Sequence, residues 1–162
     1  MNDRWKPSVT VAAVIEHEGR YLLVEEETPE GLRLNNPAGH LEAGETPEQG
    51  VVREALEETA RTFVPECVVG LYLSRFQRAA TGEDVTYLRL AYGGTAGEAD
   101  PARRLDDGIV RTLWMTLDEV RASRERHRSS LLLRCIEDHA AGRRLPLDTV
   151  YADPTLIEPE RK

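Results

Sequence analysis

The amino-acid sequence predicts an α/β fold, and three observations carry that expectation. Short apolar runs of strand character at residues 9–15, 21–24, 67–76, 85–92 and 109–115 flank one helix-forming segment on both sides. Helical spacing returns near the end of the chain, at residues 116–122 and 129–141. With 162 residues, 40% of them hydrophobic, the chain suits one domain with a substantial core and is short for two. Residues 153–162 are polar and read as a mobile tail.

In chain order, residues 9–15 and 21–24 are nearly continuous apolar runs, separated by a polar segment in which Gly19 is available for a turn, and they read as paired strands. Residues 25–31 are acidic and turn-rich. Residues 32–36 read as a short strand that delivers the chain through Pro37 and Ala38 to Gly39. After the central helix, residues 67–76 and 85–92 read as an antiparallel pair turning near Gly82. Arg89 is a cation in the middle of the second of these strands, and it reads either as part of a solvated edge or as a clamp for a substrate phosphate. Residues 94–108 form a long loop, and loops of that length are often functional. Asp106 and Asp107 at its end are either turn formers or carboxylates that reach the central helix. In the last helix, Leu131, Leu132, Cys135 and Ile136 are expected to face inward.

The central helix holds the chemistry. Thr46, Pro47 and Gln49 form a helix start: Thr caps free amides, Pro fits the first turn and Gln at the third position completes a capping box. The helix therefore begins at residue 47. Glu54, Glu57 and Glu58 fall within an arc of about 100°, beside a packing sector of Val51, Val52, Ala55, Leu56 and Thr59. Like charges at this spacing repel, and a surface that needed only solubility would more naturally alternate Glu with Lys. A hard divalent cation such as Mg2+ relieves that repulsion, because it takes oxygen ligands and leaves room for waters and phosphate oxygens. Arg53, one turn before Glu57, can brace it, and Gly50 leaves space on the carboxylate face.

Net charge is −8 with a sequence pI near 5.1, which argues against a nucleic-acid surface. A small phosphorylated ligand is compatible with it if metal and a few arginines supply local positive charge. No apolar run approaches the roughly 20 residues that span a bilayer, so a soluble, cytoplasmic protein is expected, with no membrane partner. Cys67 and Cys135 form no CxxC and read as reduced structural thiols. The four histidines have no metal-ligand spacing.

Gly39, then five residues, Glu45, then seven residues, then Arg53-Glu54-Ala55-Leu56-Glu57-Glu58 resemble the Nudix box, G-x5-E-x7-R-E-U-x-E-E-x-G-U, where U is a bulky apolar residue. The chain departs from that pattern at Ala60, where the family has glycine, and at Arg61, where it has an apolar residue; Ala55 is also small for its position. Because alanine resists the left-handed conformation, the helix is expected to run on past residue 60. Arg61 would then lie on the carboxylate face beside Glu57 or an anionic substrate, or else be a solvated charge beyond a frayed end. Residues 6–15, 35–46, 87–90 and 142–148 look closer still to one branch of bacterial Nudix phosphatases.

The resemblance implies a Nudix fold, a mixed β-sheet sandwiched between α-helices, over most of residues 1–162. It implies hydrolysis of phosphoanhydride bonds with Mg2+ or Mn2+. Glu54, Glu57, Glu58 and the Gly39 carbonyl are its implied metal ligands, Glu54 also orients or deprotonates the attacking water, and Arg53 positions glutamates that include Glu45. Nucleoside tri- and diphosphates and a thiamin-precursor pyrimidine diphosphate are its implied substrates. Two other readings stand beside this one: a Nudix pyrophosphohydrolase acting on a nucleotide sugar, ADP-ribose or a dinucleoside polyphosphate, and a Nudix-fold binding module without catalysis. The binding module predicts losses among the glutamates of the box, and all are present.

Overall fold

A computed structural model describes residues 4–162. Strands β1 (Ser8–His17) and β2 (Arg20–Thr28) are joined by Glu18 and Gly19, both at positive φ, so a two-residue turn forms where glycine was expected to allow it. The two strands pair only at this end, through Glu16 with Tyr21 and His17 with Arg20. The expected pairing is thus present, confined to the turn end of the two strands. Beyond it, β1 runs parallel to β6 (Asp84–Ala96) and antiparallel to β4 (Ala38–His40), while β2 pairs with β3 (Gly31–Asn35) and β7 (Ile109–Thr116). The acidic segment after residue 24 is mostly strand, because β2 continues to Thr28 before turning.

The path β3-β2-β1-β6-β5 ends on β5 (Phe63–Gln77), and β4 and β7 branch from β1 and β2 to complete a mixed seven-stranded sheet. Alternating residues supply two cores. On one face Val14, Leu23, Val69 and Ala91 meet Val120 of α2 (Leu117–Ala122) and Leu132, Cys135 and Ile136 of α3 (Leu131–Ala140). On the other, Val11, Ile15, Leu22, Val68 and Tyr92 meet Val51 and Ala55 of α1 (Pro47–Thr59). The sheet is thus sandwiched between helices as expected, and Leu131, Leu132, Cys135 and Ile136 are buried. Cys67 and Cys135 are both free and buried.

Both capping boxes form: Thr46 with Gln49 opens α1, and Thr116 with Glu119 opens α2. The end of α1 differs from the expectation. The helix stops at Thr59, and Ala60 takes the left-handed conformation itself, at φ 57° and ψ 23°, with its N–H donating to Leu56 O. Arg61 consequently points neither at the carboxylate face nor into solvent. Its Nη1 donates to Gly97 O at 2.8 Å and its guanidinium lies 5.4 Å from the centre of the Trp114 ring. Residues 153–162 are exposed, with one 3-10 turn at Pro154–Leu156 capped by Asp153. Among the described residues no helix is long and apolar enough to cross a membrane.

Candidate active site

Pairing of β4 with β1, Gly39 opposite Val11, sets the Gly39 backbone against the side of α1. A β-carbon at position 39 would overlap the Glu54 carboxylate, so only glycine admits that carboxylate to the backbone. A β-carbon at position 50 would come within 2.9 Å of Glu45 Oε1 and 3.0 Å of Leu41 Cδ1, which confirms the need for space there.

Arg53 organises the carboxylates. Its Nε and Nη2 donate to the two oxygens of Glu45 at 3.0 and 2.7 Å, and Nη1 donates to Glu54 at 2.9 Å and Glu57 at 3.2 Å. Nη2 also donates to His40 O at 3.1 Å, tying the bracket to the strand that carries Gly39. Hydrogen bonds from Arg53 hold the Glu45 carboxyl below the usual range, while the same bonds raise the affinity of Arg53 for its proton.

Glu54 and Glu58 are buried, 8% and 7% exposed. Burial pushes the Glu54 carboxyl up, opposed by Arg53. Burial pushes Glu58 up to about 9, reinforced by the negative charge of Glu54, Glu26 and Asp106 and opposed by a hydrogen bond from the Ala38 N–H at 3.3 Å. Glu58 has no cationic partner among the described residues. The donor set is all oxygen, it is crowded and negative, and the Gly39 backbone lies against the Glu54 carboxylate, so these residues fit a hard divalent cation. Among the described residues no three side chains already converge on one point. Arg53 draws Glu54 and Glu57 together instead, and the Glu57 side chain, 36% exposed, has room to turn.

The long loop is fastened to this site. Asp106 N–H donates to Glu57 O at 2.9 Å and Asp100 N–H to Ala60 O at 2.8 Å, so the loop satisfies carbonyls at the end of α1. Asp106 lies close enough for its charge to act on Glu54 and Glu58, whereas the Asp107 side chain is 96% exposed and pairs with Arg104 at 3.4 Å.

Arg89 is corrected. It is 6% exposed and lies on an interior strand between β1 and β5, not on an edge. Its Nη1 and Nη2 donate to Asn36 Oδ1 at 3.0 Å and Asn35 Oδ1 at 3.2 Å. It offers no open face to a phosphate; it holds the segment that leads into Gly39. Two features escaped the sequence reading. Glu26 Oε1 is buried without a hydrogen-bond partner, while Oε2 pairs with Arg128 at 2.7 Å. Arg103 lines, together with Glu57, a groove along α1. Neither carries a local signal: Glu26 is one of three consecutive glutamates, and Arg103 sits in a loop without periodicity.

Comparison with known proteins settles the family. A NUDIX domain match spans residues 4–134. The chain belongs to the Nudix hydrolase family. This Nudix hydrolase is 31% identical over 146 residues to the phosphatase NudJ of Escherichia coli K12, covering 90% of this chain and 92% of that one. NudJ belongs to the branch of Nudix phosphatases that the short sequence stretches resembled. A Nudix hydrolase from Nitrosomonas europaea is 49% identical, with a TM-score of 0.82 over 91% of this chain and 98% of that one. The Nudix domain of Shewanella oneidensis NrtR, solved with ADP ribose, shares the fold at 19% identity and a TM-score of 0.65, covering 85% of this chain and 89% of that one.

Proposed function

We propose that this Nudix hydrolase, acting as one domain over residues 1–162 in the cytoplasm, cleaves phosphoanhydride bonds in nucleoside tri- and diphosphates or related small diphosphates, including the thiamin-precursor pyrimidine diphosphate. The observation that carries the reading is the Glu54 carboxylate seated in the space that Gly39 leaves, next to Glu58, which lacks a counter-charge. The whole-chain likeness to a phosphatase supports the substrate class.

Glu54, Glu57, Glu58 and the Gly39 carbonyl would hold Mg2+, with Mn2+ as an alternative. The bound ion would supply charge neutralisation at the phosphoryl oxygens and a lowered pKa for water. Within the protein, Arg53 fixes the spacing of Glu54, Glu57 and Glu45 before substrate arrives. Glu54 orients the attacking water and receives its proton as the water oxygen bonds to phosphorus. The bond from phosphorus to the bridging oxygen breaks, and its electron pair leaves with the departing phosphate. Burial of Glu54 favours proton acceptance, since it pushes the carboxyl up.

The test is product analysis over a panel of phosphorylated compounds, with and without chelator and with no added pyrophosphatase. Turnover should vanish with chelator and return with Mg2+, and a nucleoside triphosphate should release orthophosphate first. Pyrophosphate and nucleoside monophosphate as first products would remove the NudJ-like substrate reading.

A further inference from the structure

We infer that Arg103 grips the phosphate chain of the substrate and that the groove along α1 receives the organic group beyond it; this rests on the hydrolytic reading of the same site. A groove of about 510 Å³ runs along α1, with Val52, Leu56 and Pro65 on its apolar side and Arg53, Glu57 and Arg103 among its polar lining. A second cavity of about 280 Å³ shares Glu57 and Arg103 with it and continues past Arg104 and Asp106. Arg103 therefore stands where both cavities meet Glu57.

Three facts select Arg103 from the arginines. Those around the site are already engaged: Arg53 with four glutamates, Arg61 with Gly97 O and Trp114, Arg89 with two asparagines, Arg128 with Glu26. Among the described residues the side chain of Arg103 has no ion pair or hydrogen bond, and it is exposed. Its backbone nevertheless is held: its N–H donates to Asp100 O at 3.2 Å, and Asp100 and Asp106, three residues before and after it, donate to Ala60 O and Glu57 O at the end of α1. A free guanidinium on a fastened loop, sharing both cavities with Glu57, the most exposed carboxylate of the cluster, has the charge and placement for a phosphate chain. The apolar side of the groove suits a base or similar ring, and only a ligand that carries both chemistries uses both walls.

Arg103→Ala is expected to raise KM for a nucleoside triphosphate by about ten- to a hundredfold while kcat stays within about threefold, and Arg103→Lys should recover part of the loss. Being exposed, the residue can change without harm to folding. Affinity for inorganic diphosphate in the presence of Mg2+, measured by calorimetry, should fall with KM. Equal KM and equal diphosphate affinity in wild type and Arg103→Ala overturn the inference. If wild type turns over no phosphoanhydride but Arg103→Ala binds diphosphate more weakly, the hydrolytic reading fails and the phosphate grip stands.

Discussion

Glu25 and Glu58 are the same residue type at nearly the same burial, 4% and 7% exposed, in opposite surroundings. Glu25 lies between two cations: Arg111 Nε at 3.0 Å from Oε1, and Arg126 on Oε2. Glu58 has the Ala38 N–H for a partner and is faced by Glu54, Glu26 and Asp106. A paired buried carboxylate ties elements together, here β2 to β7 and to the segment before α3. A buried carboxylate among like charges opposes folding when it is ionised. Burial is the same in both; the sign of the neighbours is what differs.

The comparison predicts a large split in activity. Glu58→Gln should lower turnover at saturating Mg2+ by about a hundredfold or more, because a neutral amide weakens both the ligand and the charge balance. Glu25→Gln should leave turnover per folded molecule near that of wild type. Similar losses in both, with folding checked by circular dichroism, would erase the distinction.

Stability should divide the two the other way. Glu25→Gln should destabilise by about 1–2 kcal/mol, because one imperfect amide replaces a carboxylate shared by two arginines whose heads still reach solvent. Glu58→Gln should raise the Tm of the metal-free protein at pH 8. The sign follows from the raised carboxyl, near 9 when folded against an ordinary 4.5: the proton is held more tightly in the folded state, so the stability it brings is full below about pH 4.5 and is lost as pH rises toward 9. The gain from Glu58→Gln should therefore shrink toward pH 5. A gain that is constant across this range would show that Glu58 is not the titrating group.

The smallest expected effect is at the end of the helix that carries Glu58. Ala60→Gly should stabilise by about 0.5–1 kcal/mol in urea unfolding, by relieving a left-handed alanine, and should not alter turnover. A loss of stability would mean that the buried methyl of Ala60 contributes more than the backbone strain costs.

Much of the site was legible in the sequence because its logic is local. The spacing of Thr46, Pro47 and Gln49 encodes a helix start wherever the segment is placed, and i, i+3, i+4 spacing puts Glu54, Glu57 and Glu58 near one another on any α-helix. The reach of Arg53 to Glu57 is likewise one helical turn. The strands read well where apolar runs are long, and less well in the acidic second half of β2, where Arg111, Arg126 and Arg128 of distant segments accommodate the charges of Glu25 and Glu26.

What the sequence by itself determined, then, is the helix, its N-terminal cap, the carboxylate array and the two-sided apolar pattern of the strands, since each depends on neighbours within about one or two turns. The tertiary structure alone decided the rest. Arg89 became an interior bracket because parallel pairing with β1 placed its strand inside the sheet, and Arg61 turned to Trp114 because Ala60 ended the helix. Glu26, Asp106 and Arg103 reached the site from residues distant in sequence, through strand pairing and the loop bonds to Glu57 and Ala60. Burial and charge environment are sums over such neighbours, and no window of sequence contains them.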